Sequence, residues 1–198
     1  MTAVEFAIQF YVTIDDGNFV ELGVATGGSL RQIVNAACRR QIERNDASIG
    51  TPRRRGVYGF DSFYGLPSDW KPDLPKGSFN MNGQKPTVPG ATIVAGMFED
   101  TLPEFARHLE AQDEVISFLH VDCDLYESAL CGLTELNQFI REGTIIVFDE
   151  FYNHGGAEMH EQLALADWVK RFGRSYKMLP TGDNSIDNPF RATIEVTK

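Results

Sequence analysis

Residues 18–42 read NFVELGVATGGSLRQIVNAACRRQI, and their two halves carry different periods. Asn18 to Val24 is a short apolar strand that runs into the glycine-rich turn Ala25-Thr26-Gly27-Gly28-Ser29. From Leu30 to Ile42 the apolar residues fall at Leu30, Ile33, Val34, Ala37 and Cys38, the spacing of one helix face. Strand, tight turn and helix in that order open an α/β fold.

The alternation continues outward. Strands are expected at Gly56–Asp61, Ala91–Ala95, Val115–Val121 and Thr144–Phe148, with two more near Tyr176–Leu179 and Arg191–Val196. Helices are expected at Thr101–Leu109, with Pro103 in its first turn, at Tyr126–Ile140 and at Glu158–Phe172. Near-continuous apolar strands separated by helices predict a mostly parallel sheet covered on both faces. Nothing marks a domain boundary or an internal repeat, so residues 1–198 read as one domain. A chain of 198 residues buries roughly 70% of its unfolded surface.

Composition narrows the partners. Eighteen basic against 28 acidic residues give a net charge of -10, which works against phosphate-backbone binding. The basic cluster Arg53-Arg54-Arg55 is too short to reverse this, so neither nucleic acid nor an anionic membrane is an expected partner. No apolar run reaches the roughly 20 residues of a membrane span. The opening MTAVEFAIQF lacks the basic start of a signal peptide. Cys38, Cys123 and Cys131 show no metal-binding spacing and read as reduced thiols, in keeping with a cytoplasmic setting. Residues Phe63–Gly90, rich in Pro, Gly and Asn and without a period, read either as a binding loop or as a disordered insertion; Trp70 and Phe79 favour the loop.

Ligands of such sheets bind outside the carboxyl ends of the strands, and four of those ends hold acidic or glycine-rich sequence. Glu21 stands two residues before Gly23, where a carboxylate repels a phosphate but suits a cationic ligand. Asp61 in FDSFYGLP either accepts from ribose hydroxyls or caps its own turn. HVDCDLYES and VFDEFYNH release Asp122, Asp124, Asp149 and Glu150 at one sheet edge. Such carboxylates raise one another's pKa unless a cation compensates, and Mg²⁺ is the candidate ion; the alternative is that some cap helices, Asp124 among them.

Together ELGVATGGS, FDSFYGLP, AGMFEDTLP, HVDCDLYES and IIVFDEFYNH resemble the class I S-adenosylmethionine-dependent methyltransferases, most nearly the macrocin O-methyltransferase-like branch. The likeness runs from about Phe19 to Phe172. It implies a Rossmann-like three-layer sandwich with a seven-stranded sheet. It also implies S-adenosylmethionine as cofactor, with Glu21, Gly23, Gly27 and Ser29 around its methionine part. Asp61 and Ser62 would hold the ribose, Gly96, Met97 and Phe98 would border the adenine, and Asp122 would lie beneath the sulfonium. Metal-dependent relatives imply Asp122, Asp149 and Glu150 as ligands, Glu150 replacing the more usual Asp or Asn. About 18 residues precede Phe19, fewer than in relatives acting on macrolide sugars, so part of the lid falls to Phe63–Gly90 or to a partner subunit.

The expected reaction is methyl transfer to a hydroxyl of a small molecule, a sugar or natural product. A metal on Asp122, Asp149 and Glu150 would acidify that hydroxyl, or His154 would take its proton. His120 reads as structural, and His108 and His160 as surface residues. A nucleotide-dependent oxidoreductase is the rival within the fold, disfavoured by Glu21. A cofactor-binding subunit without activity is the rival outside it. An exposed pocket makes a homodimer the candidate assembly.

Overall fold

The computed structural model describes residues 1–14, 16–44, 56–152, 156, 159–182 and 190–198, with side chains omitted at 41–44. Seven strands form one sheet: β1 (Asn18–Leu22), β2 (Val57–Asp61), β3 (Thr92–Ala95), β4 (Ile116–Val121), β5 (Ile140–Phe148), β6 (Tyr176–Leu179) and β7 (Ala192–Val196). Their order across the sheet is β3-β2-β1-β4-β5-β7-β6. β3 through β5 run parallel, whereas β7 returns antiparallel to β5 and pairs antiparallel with β6. The expected Rossmann-like, mostly parallel architecture is therefore the one observed.

Among the described residues five α-helices cover the sheet: α1 (Ala3–Phe10), α2 (Gly28–Arg44), α3 (Phe98–Gln112), α4 (Tyr126–Glu135) and α5 (Glu161–Phe172). Alternate residues of each central strand feed opposite layers. Phe19, Phe118, Ile145 and Val147 pack with Val4, Ile8, Leu30 and Ile33 of α1 and α2. Val20, Val121, Ile146 and Phe148 pack with Leu102, Leu133 and Trp168 of α3, α4 and α5. β1 and β4 are buried along their whole length, as strands covered on both faces must be.

Several boundaries moved from their expected places. α3 begins three residues earlier, at Phe98, so Pro103 lies in its second turn. α4 stops at Glu135, and a 3-10 turn (Asn137–Phe139) leads into β5, which starts at Ile140 rather than Thr144. Residues 45–55, including the Arg53-Arg54-Arg55 cluster, lie outside the described residues.

α1 was not among the expected elements, although its signal is in the sequence. Thr2 and Glu5 form a capping box: the Thr2 hydroxyl accepts from the Glu5 N–H (3.3 Å), and the Thr2 N–H donates to Glu5 Oε2 (3.0 Å). Ala3, Val4, Ala7 and Ile8 are then buried, and Arg40 of α2 donates to the Ile8 and Val12 carbonyls. Among the described residues no helix is long and apolar enough to cross a membrane. Thr2→Ala removes the cap and is expected to cost about 1 kcal/mol. That should read as a fall of roughly 2–4 °C in a calorimetric Tm.

Candidate active site

The carboxyl ends of β1, β2, β4 and β5 open onto one cavity of about 720 Å³, toward the larger end of the roughly 300–1,000 Å³ of small-molecule sites. Gly23, Ser29, Asp61, Ser62, Gly96, Met97, Phe98 and Asp122 all line it. Glu21 and Gly27, expected beside them, do not. Glu21 is fully buried beneath the turn. Gly27 faces the side chains of Pro86 and Val88.

Gly23 marks the tightest approach in the site. Its φ is +92°, and a Cβ there would lie 1.8 Å from the Asp122 carbonyl oxygen. Only glycine lets the ends of β1 and β4 come this close. Asp61 secures the same turn from β2. Its Oδ2 accepts from the Val24 and Ala25 N–H groups (2.8 Å each) and its Oδ1 from Phe63 N–H (2.7 Å). The turn-capping reading of Asp61 therefore holds. Asp61 makes an Asx-type turn onto Phe63 while standing in the cavity wall, and three of its roughly four acceptor positions are already filled.

Residues Phe63–Gly90 form a folded loop. Phe63 and Val88 are buried in the core, and backbone bonds link Leu66 with Gly77 and Ser78, and Phe63 with Met81 and Gly83. Leu66, Pro67, Ser68, Trp70 and Phe79 line the cavity, so the segment is an ordered loop rather than a disordered insertion. Lys71 lies 3.3 Å from the centre of the Trp70 ring and 3.9 Å from Glu150 Oε2. That pairing ties the loop to the end of β5.

Beneath the cavity floor the charges alternate across four neighbouring strands. Glu21 Oε1 lies 2.9 Å from His120 Nδ1, His120 Nε2 lies 3.5 Å from Asp149 Oδ1, and Arg191 Nε donates to the same oxygen. Burial works against a charge on His120, but Asp149, Glu21 and Asp122 outweigh it and lift the pKa to about 10. Burial likewise pushes Asp149 upward, yet His120 and Arg191 hold it down at about 2. His120 is thus structural, as expected, and charged.

Asp122 and Asp124 have less support. Burial raises Asp122 well above its ordinary value, against the opposing pull of His120. Burial, followed by the Glu150 carboxylate, brings Asp124 to about 7. Asp124 lines the cavity with a left-handed backbone (φ 62°), a region that Asp tolerates better than most residues. The expected capping role does not hold: the N-cap of α4 is Leu125, without a side-chain cap bond. A carboxyl poised near neutrality on a cavity wall is a functional signal, and in the sequence it was indistinguishable from a helix cap.

The residues expected to hold a metal do not gather into a site. Asp149 is occupied by Arg191 and His120, and Glu150 is paired with Lys71. Among the described residues, the one group of donor atoms within 4.8 Å of one another is Glu21, His120 and Asp122. Its imidazole is already placed between two carboxylates, Nδ1 2.9 Å from Glu21 Oε1 and Nε2 3.5 Å from Asp149 Oδ1. This arrangement does not fit a divalent ion. His154, expected as a base, lies outside the described residues. His108 is exposed as expected, whereas His160 is half-buried and packs edge-on against Trp70.

Residues 20–151 match a family model described as a methyltransferase domain. The chain belongs to that family. The expectation of a class I S-adenosylmethionine-dependent methyltransferase is thereby met. The fold is also that of solved methyltransferases. CalS11, a calicheamicin methyltransferase, superposes with a TM-score of 0.70 at 21% identity, over 96% of this chain and 76% of that one. A second structure of CalS11, there described as a TDP-rhamnose 3'-O-methyltransferase, gives 0.62 at 20% over 96% and 76%. The O-methyltransferase NovP gives 0.64 at 20% over 98% and 78%. No curated protein sequence matches the chain.

An acid whose folded pKa is raised costs stability wherever its unfolded form is ionised. For Asp124 the cost is absent below its ordinary value of 3.8, grows from there to about 7 and is constant above that. Asp124→Asn is therefore expected to raise Tm by about 3 °C or more at pH 8. The gain should shrink as pH falls from 7 and vanish below pH 4, as followed by thermal melts across that range.

Proposed function

We propose that this methyltransferase acts on a hydroxyl of a small molecule, a sugar or natural product, with Asp124 as the base. One observation carries the assignment: Asp124, with its pKa near 7, faces a cavity already walled by the glycine turn and Asp61. The cavity suits a cationic sulfonium cofactor, because Asp61, Asp122 and Asp124 line it and the Gly23 turn leaves no Cβ in the way. Its relation in fold to CalS11 and NovP, both O-methyltransferases by description, supports an oxygen acceptor.

S-adenosylmethionine supplies the transferable methyl group. In this reading Gly23, Ser29 and Asp122 hold its methionine part, Asp61 and Ser62 the ribose, and Gly96, Met97 and Phe98 the adenine. Asp61 has about one acceptor position left for a ribose hydroxyl. Glu21 acts from below, through His120, rather than by touching the cofactor. The loop around Trp70 and Phe79 excludes water and aligns the acceptor, the larger part of catalysis in an in-line displacement. Asp124 accepts the hydroxyl proton as the new O–C bond forms. Lys71 and Arg191 pair with Glu150 and Asp149.

Calorimetric titration tests the reading. S-adenosylmethionine and its demethylated product should both bind in the micromolar range. Asp61→Ala should weaken binding by about 30-fold or more, since the turn loses its anchor as well as the ribose its partner. Asp124→Asn should keep product binding and lose at least about 100-fold in kcat; unchanged kcat in that variant would remove Asp124 from the role. A separate check is turnover in EDTA, expected to match that in Mg²⁺. Strict dependence on the ion would show that Asp149 rearranges to ligate it.

A further inference from the structure

The loop from Phe63 to Gly90 is tied at both ends to the glycine turn that follows β1. At its start, Asp61 accepts from the Val24 and Ala25 N–H groups with one oxygen and from the Phe63 N–H with the other. At its end, Pro86 and Val88 lie against Gly27, where a Cβ would come within 3.2 Å of the Pro86 side chain and 2.8 Å of the Val88 side chain. Arg31 spans the same seam: its guanidinium donates to the Thr26 carbonyl (3.0 Å) and to the Thr87 carbonyl (3.4 Å). Behind the seam Val88 is buried with Leu30, Ile33 and Val34 of α2. The turn itself is braced, with the Gly27 N–H bonded to the Val24 carbonyl and the Arg31 N–H to the Gly27 carbonyl.

The needs of α2 do not explain Arg31. It stands in the first turn of that helix, where a cation opposes the macrodipole, and its side chain is exposed. What it gains there is the pair of carbonyls, one from the turn and one from the loop. Between its tied ends the loop faces the turn across the cavity, with Leu66, Trp70 and Phe79 on one side and Val24, Thr26 and Ser29 on the other. We infer that Arg31 is a positioning residue that locks the Phe63–Gly90 loop to the glycine turn, so that a ligand held by the turn also holds the loop. The inference rests on the reading of the turn as the cofactor's seat. Coupling of this kind is reciprocal: the ligand steadies the loop, and the ordered loop tightens the ligand.

Limited trypsin digestion of the full chain reads the coupling without an acceptor. Within 63–90 the basic residues are Lys71, Lys76 and Lys85, and Lys71 and Lys85 each precede a proline, a bond that trypsin leaves intact. Cleavage at Lys76–Gly77, followed by mass spectrometry, therefore tracks opening of the loop. Calorimetry first measures binding of the demethylated cofactor product. Its absence overturns the reading of the turn as the cofactor's seat and this inference with it. With binding established, saturating product should slow the Lys76 cut about 10-fold or more in the wild-type chain and less than about 3-fold in Arg31→Met. Arg31→Lys, with a single ammonium in place of a fork, should fall between them. Equal protection in wild type and Arg31→Met overturns the inference even where the variant is cut faster, since a loss of packing alone raises both rates alike. Binding without protection in the wild type overturns it as well and leaves the cofactor reading standing.

Discussion

The site depends on a row of buried charges that runs crosswise to the strands, from Glu21 on β1 through His120 on β4 and Asp149 after β5 to Arg191 before β7. A carboxylate taken out of water alone is prohibitive; it is tolerated here because each charge has an opposite neighbour. The row ties the carboxyl ends of β1, β4 and β5 to the start of β7, where the acids alone would repel one another. It also fixes which acids stay ionised. Asp149 remains a carboxylate far below neutral pH, whereas Asp124, beyond the reach of Arg191, is left near 7.

The cavity's chemistry follows from that division. The floor is electrically balanced, and the wall above it is not. Asp122 and Asp124 lie half-exposed in a space lined by further carboxylates, so the folded protein holds a negative potential that a cationic cofactor relieves. Stability and function pull in opposite directions at Asp124. The burial that brings its pKa to about 7 also makes its ionised form unfavourable. The loop over Trp70 contributes on both counts, since it shields the wall from water and brings Lys71 to Glu150.

Much of this was legible in the sequence, and the reasons differ by residue. The glycine turn after β1 and the acid at the end of β2 announce themselves because a strand end followed by a turn has few chemical solutions. Of the ten residues that the resemblance assigns to the cofactor, eight line the cavity, Asp122 among them. Glu21 misled because alternation along a strand decides which way a side chain points: in β1 it points to His120, below the turn. Asp124 misled because an acid before a helix looks the same whether it caps the helix or faces a ligand. In the structure the N-cap of α4 is Leu125, and Asp124 lines the cavity with a left-handed backbone. α1 was overlooked despite its Thr2/Glu5 box because a single short helix at a chain start has no neighbouring period to confirm it.

The sequence by itself determined the α/β alternation, the two-sided burial of the central strands and the gathering of acids at their carboxyl ends. These are properties of local period and of apolar runs that only a covered sheet can hide. The tertiary structure alone decided how those acids are neutralised. Arg191 is 42 residues from Asp149 in the chain, and nothing in either segment names the other. The two meet because β7 runs antiparallel to β5, with Ala192 opposite Phe148, so the start of one strand lies beside the end of the other. Whether a carboxylate at this edge waits for a metal or already holds a guanidinium is therefore a matter of strand direction, which short-range pattern does not encode.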